Sequence, residues 1–238
     1  MAFEQGDIRR AFTYLESGAV LLITTNNGEQ DNVMTISWQM VMDFTPHIAI
    51  STGPWNESFD TLLQSRECCI CVPSFDMVET VVGIGVVHGT ECDKFERFQL
   101  NRLPAKHVRA PLIAESIAVI ECVLEDYIEK HGLLIFKGMQ LWENKGKRDT
   151  RVIHANGDGT FFADGEFRNL RNIMHKWVPD GAERLGPRQN NLHRKRSVQK
   201  KTGAAFYGQH QFSALGVIRE LDYGDYDLSF SEHLRISS

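Results

Sequence analysis

Asn32-Val33-Met34-Thr35-Ile36-Ser37-Trp38 is the stretch from which the rest of the chain is read. Strand alternation sends Val33, Thr35 and Ser37 to one face and Met34, Ile36 and Trp38 to the other. The second face is explained by a core alone. The first is lined with small hydroxyl residues, which leaves backbone and polar atoms along which a flat polar ligand could lie.

On the N-terminal side, Asp7 caps a short amphipathic helix through Ile8, Ala11, Phe12 and Leu15. Ala19–Thr25 is a β-branched, apolar run ending at Asn26-Asn27-Gly28, the chemistry of a hairpin turn. On the C-terminal side, Pro46 opens a strand through Thr52, and Gly53-Pro54 breaks the chain before a helix over Glu57–Arg66. Glu67–Val72 reads as a strand stopped by Pro73, Phe75–Val82 as helix and Asp93–Leu100 as a short helix. Ile117–Tyr127 and Leu133–Trp142 pair as a hairpin around Lys130-His131-Gly132. Asn156–Gly159 is a turn before a short strand at Thr160-Phe161-Phe162. Six or seven strands with short helices between them, and no βαβ alternation, predict a mainly β, antiparallel barrel.

The whole chain has 238 residues, a net charge of −5, 42% hydrophobic residues and 24% charged ones, which excludes a disordered chain. The charge is unevenly spread: residues 1–175 carry −8 and residues 176–238 carry +3. This predicts one domain over 1–175 and a basic extension over 176–238. No apolar run approaches the roughly 18 residues of a membrane span. The N-terminus lacks a basic n-region and an apolar h-region, so a cytoplasmic location is expected. Five cysteines, with Cys68-Cys69-Ile70-Cys71 lacking a two-residue spacer, predict neither disulfides nor a zinc pair. The nine histidines show no ligand spacing, and no metal site is expected.

Gly83-Ile84-Gly85-Val86-Val87-His88-Gly89 resembles a dinucleotide fingerprint, but three residues rather than two precede its last glycine. A helix also stands where a strand is required, so a flexible loop is expected. The nucleophile elbow, the zincin pair and the Walker loop are all missing from the sequence. Ser51 and Thr52 end a strand, and Asn56, Ser58 and Thr61 open the next helix. Such groups either cap the helix or, with its free N–H groups, hold a phosphate.

Taken in order, these segments resemble the flavin reductase-like, FMN-binding split-barrel family. Asn32–Trp38 is similar to the family's N-V-M-T-x-x-W strand. Asn56–Leu62, Arg66-Glu67-Cys68 and Val72-Pro73-Ser74 resemble its next helix and strand. Asp93-Lys94-Phe95-Glu96 is similar to its D-K-F-E turn, and Ala110–Ile113 and Ile120-Glu121-Cys122 follow in order.

The resemblance implies a six-stranded Greek-key split barrel with short peripheral helices, dimerised around FMN, with FAD as the less favoured flavin. It places the ring along Asn32, Met34, Thr35, Ser37 and Trp38, and the phosphate near Ser51, Thr52, Asn56 and Ser58. Lys94 and Phe95 would close over the flavin. It further implies hydride transfer from NADH or NADPH, the two cofactors supplying the reactive atoms. His131 falls near the position of a family histidine at the nicotinamide site, and a surface or core role fits it equally.

Thr90-Glu91 and Gln99 depart from the family pattern, the first by bringing an anion near the expected phosphate. The resemblance ends near residue 175. The basic run Arg188–Arg196 with Lys200-Lys201 reads as a solvated tail, and nucleic acid is not an expected partner, since no aromatics interleave it. The leading expectation is a homodimeric NAD(P)H:flavin oxidoreductase. The alternative is a flavin-binding electron carrier or sensor without nicotinamide activity of its own.

Overall fold

The computed structural model describes residues 3–174, 176–179 and 181; the expected basic extension lies almost wholly outside them. In chain order the strands are β1 (Phe3–Gly6), β2 (Leu21–Asn26), β3 (Asp31–Ile36), β4 (Gln39–Val41), β5 (His47–Ser51) and β6 (Glu67–Val72). They continue with β7 (Arg102–Leu103), β8 (Leu112–Ile113), β9 (Ala118–Ile128), β10 (Leu133–Asn144), β11 (Ile153–Ala155) and β12 (Phe161–Ala163). The α-helices are α1 (Ser58–Ser65), α2 (Val78–Gly85), α3 (Lys94–Arg97) and α4 (Arg171–Met174). No helix among the described residues is long and apolar enough to cross a membrane.

The main sheet runs β3-β2-β6-β9-β10-β5-β4, with β1 added along β10, and its neighbours are antiparallel. Its six longer strands are β2, β3, β5, β6, β9 and β10. Strands β3 and β4 are the two ends of this path, yet only Ser37 and Trp38 separate them in sequence. Consecutive Cα atoms lie about 3.8 Å apart, so two residues cannot cross an open seven-strand sheet. The sheet must curl until its ends meet. The carbonyl of Trp38 accepts from Ser51 N at 3.0 Å, continuing the β4–β5 ladder, and the Gln39 amide donates to Leu15 O at 3.0 Å, tying β4 to the segment before β2. This curled antiparallel sheet with few short helices around it is the mainly β barrel expected from the sequence.

The expected strand through Trp38 is corrected: β3 ends at Ile36, because Ser37-Trp38 carry the chain between the two sheet edges. Curling also divides the core. One apolar cluster fills the barrel with Leu21, Ile23, Met34, Ile36, Ile70, Ile120 and Phe136. A second lies on the outer face of the same strands, with Leu22, Val33, Cys71, Val81, Ile84 and Phe95. Both faces of β3 are therefore covered. The glycine-rich segment is corrected too: Gly83-Ile84-Gly85 form the last turn of α2, and only Val86 onward is loop. A Cβ on Gly83 would lie 2.6 Å from the Phe98 ring, so the glycine lets α2 press against α3's end.

Candidate active site

Strand β3 is an edge strand, and an edge leaves backbone groups to be satisfied from outside the sheet. Here α1, α2 and α3 supply the partners. Lys94 Nζ donates to Val33 O at 3.0 Å and to Ile84 O at 3.2 Å, joining β3 to α2. Lys94 is only 6% exposed. Burial pushes its ammonium below the usual lysine range, opposed by the charges of Glu57, Cys92 and Glu91. The Thr35 hydroxyl donates to Val81 O at 2.6 Å, so it faces α2 and is not left free as the alternation suggested. Asn32 Nδ2 donates to Ser58 Oγ at 3.2 Å, and its Oδ1 accepts from Val33 N.

Helix α3 has only four residues and is fixed from its start. Asp93 caps it by accepting from Phe95 N at 2.8 Å and Glu96 N at 3.2 Å. Arg102 bridges Asp93 at 2.6 Å and Asp31 at 3.1 Å, and its guanidinium lies 4.1 Å from the centre of the Phe95 ring. Burial raises the Asp93 carboxyl, but Arg102 and the two N–H groups outweigh it and hold the group below the usual range. The clamp sets Lys94 towards β3 and drives Phe95 into the outer core.

Asn32, Met34, Thr35, Asn56, Ser58 and Lys94 thus meet in one groove of about 90 Å³. Trp55, Glu57, Ile84, Gly85, Val87 and His88 complete its walls. Glu57 accepts from Gly89 N at 2.7 Å, and His88 Nδ1 lies 3.8 Å from the same carboxylate, tying the loop after α2 to the start of α1. Trp55 folds over Gly53, where a Cβ would lie 2.3 Å from the indole. An ammonium, amides, hydroxyls and a helix start, lining one groove with Met34, Trp55 and Ile84, suit a flat ligand with a polar edge.

The other expected residues lie elsewhere. Phe95 is a core residue and does not close over the groove. Ser37 and Trp38 are exposed beyond the end of β3. Ser51 ends β5, and buried Thr52 accepts from Asn56 Nδ2 at 2.9 Å, acting behind the groove rather than in its wall. His131 is exposed on the turn between β9 and β10, whose Gly132 carbonyl accepts from Thr52 N. Glu57 and His88 were missed in the sequence. Glu57 is hidden between two residues that read as caps, and His88 lies in a segment that reads as a flexible loop.

The family model described as a flavin reductase like domain matches residues 14–170. The chain belongs to the flavin reductase-like family. An uncharacterised protein from Archaeoglobus fulgidus is 24% identical over 166 residues, covering 67% of this chain and 86% of that one. An FMN-binding domain of a flavin reductases-like enzyme from Shewanella baltica superposes with a TM-score of 0.65 at 20% identity. That match covers 71% of this flavin reductase-like chain and 97% of the other. Flavoredoxin of Desulfovibrio vulgaris gives 0.59 at 23% identity, covering 64% and 89%. At these identities the two solved structures establish the split-barrel fold.

Proposed function

We propose that this protein is an FMN-binding oxidoreductase, a cytoplasmic NAD(P)H:flavin reductase working as a homodimer. The observation that carries the reading is Lys94, buried beside a polar groove on β3. Two of its three ammonium protons are spent on backbone carbonyls, which leaves one for a ligand. Asn32, Met34, Thr35, Asn56, Ser58 and Lys94 would hold the flavin. When bound, it supplies the centre that accepts hydride from a reduced nicotinamide. The chain's own part is positioning. Thr35 and Lys94 fix β3 against α2, Asn32 and Ser58 fix it against α1, and Trp55 supplies an aromatic wall.

The groove falls below the roughly 300–1,000 Å³ of ordinary ligand sites. A second copy would enlarge it, and Trp38, Met40, Met42, Phe44 and Trp55 are large apolar side chains left exposed for such a copy to cover. The purified protein should be yellow, and NADH or NADPH should bleach the flavin absorbance. Flavin that stays oxidised with both nucleotides removes the reductase reading. The placement of His131 outside the groove favours one alternative, a flavin-binding electron carrier. In that case the flavin is reduced only when a partner protein is added.

A further inference from the structure

Past Asn32 and Glu57 the groove continues into a second pocket of about 190 Å³, walled also by Thr25, Asn27, Gln30 and Thr61. This is well beyond the roughly 10–15 Å³ that a single structural water occupies in the same measure. Thr25 is 1% exposed, and its hydroxyl oxygen has no partner among the described residues. A buried hydroxyl without a partner is uncommon and points to a missing ligand or water.

The charge on the wall narrows the ligand. Glu57 contributes a carboxylate, and no lysine or arginine is among the described residues lining the pocket. A phosphate in this pocket would meet the like charge of Glu57. Glu57 Oε2 accepts from Gly89 N, and the other carboxylate oxygen can take a further donor, as a ribose hydroxyl provides to an acidic residue in dinucleotide sites. The Asn32 amide is already used, and Asn27 Oδ1 accepts from Glu29 N and Gln30 N. Asn27 Nδ2 and the whole Gln30 carboxamide make no hydrogen bond among the described residues. A free Gln carboxamide matches the amino and ring-nitrogen edge of adenine.

We infer that this pocket takes an adenosine group, joined through its phosphates to the ligand held beside Lys94. The inference rests on the flavin reading of the neighbouring groove and extends it. The adenosine comes from FAD or from a reduced nicotinamide dinucleotide, and the two sources separate by experiment.

The full chain, Thr25→Val and Gln30→Ala are compared by equilibrium dialysis against FAD, FMN and adenosine, and by steady-state kinetics with NADH. Thr25→Val keeps the side-chain volume, and Gln30 is exposed on its hairpin. A rise of at least tenfold in Kd for FAD, with FMN within twofold, supports the pocket and assigns it to FAD. A tenfold rise in KM for NADH, with kcat and both flavin affinities unchanged, supports it and assigns it to the nicotinamide dinucleotide. Equal weakening of FAD and FMN, or no change in any of the three, overturns it. If the unsubstituted chain binds no flavin, the flavin reading fails by itself and adenosine decides the pocket. Saturable adenosine binding that Gln30→Ala removes then supports the pocket, and its persistence in Gln30→Ala, or no adenosine binding at all, overturns it.

Discussion

Residues 31–36 and residues 37–44 follow one another along the chain and meet opposite ends. In the first run Asp31 pairs with Arg102, Asn32 with Ser58, the Val33 carbonyl with Lys94 and the Thr35 hydroxyl with α2. Each polar group is matched from within the same chain. The second run leaves Trp38 68%, Met40 55% and Phe44 55% exposed, although Phe44 rests edge-on against Phe12 at 5.1 Å. One chain can finish the groove floor. It leaves the large apolar side chains of the following segment in solvent, and exposed apolar residues grouped along a chain are candidates for an interaction surface. The contrast separates what the fold satisfies within one chain from what the proposed second copy would cover.

The largest expected effect lies on this exposed segment. Met40→Asp with Phe44→Asp should turn a dimer into a monomer in light scattering, raising the dissociation constant by about 10³, or roughly 4 kcal/mol. The melting temperature of the separated barrel should hold. An unsubstituted protein that is already monomeric at micromolar concentration would erase the contrast.

Next comes the floor. Lys94→Met should weaken FMN binding about ten- to a hundredfold, the roughly 1.5–3 kcal/mol of a hydrogen bond to a charged group. The protonated ammonium is the form that attracts an anion, and burial lowers its pKa from the usual lysine value. Affinity for FMN should therefore fall as pH rises through a range below that value, and the Met variant should show no such fall. Titrating flavin fluorescence against pH checks both. Identical profiles would place the flavin away from Lys94.

Much of this was legible in the sequence because the signals were local. Glu67–Val72 is bounded by its own proline and matches β6, and the long hairpin announces itself by two apolar runs around a glycine. Six groove residues were found because they sit on segments whose order carries the family pattern. The errors arose where local pattern and three-dimensional closure disagree. Alternation runs on through Ser37 and Trp38, but a curled sheet needs those residues as its joint. Lys94 and Phe95 are neighbours in sequence and about 100° apart on a helix, so one turn of α3 sends them to groove and core. Thr25, Asn27 and Gln30 read as strand and turn chemistry, and only the packing of α1 against the hairpin makes them a pocket.

A smaller effect tests the clamp that aims Lys94. Asp93→Ala removes a helix cap and one arm of the Arg102 bridge, and should cost about 1–2 kcal/mol in urea unfolding. The folded Asp93 carboxyl titrates below its ordinary value, so its stabilisation is complete above that value and is lost as pH falls through the lowered one. Asp93→Asn should flatten the acid side of the stability profile. A cost below about 0.5 kcal/mol would show that Phe95's packing alone holds α3.

The smallest effect separates two residues of like backbone geometry. Gln99 closes α3 with φ +55°, and Arg66 closes α1 with φ +56°, both in the left-handed region that glycine occupies freely. The strain at a non-glycine residue there is about 1–2 kcal/mol, against roughly 0.5–1 kcal/mol for the extra unfolded-state freedom of glycine. Gln99 is exposed and makes no side-chain hydrogen bond among the described residues, so Gln99→Gly should gain up to about 1 kcal/mol. Arg66 donates through Nη2 to Leu124 O at 2.8 Å and Glu125 O at 3.1 Å, so Arg66→Gly loses those contacts and should destabilise. Opposite signs in paired urea melts, with Gln99→Gly leaving FMN affinity unchanged, would show that the clamp at Asp93 fixes Lys94 from the start of α3, and that the strained residue at its end adds nothing to the floor of the groove.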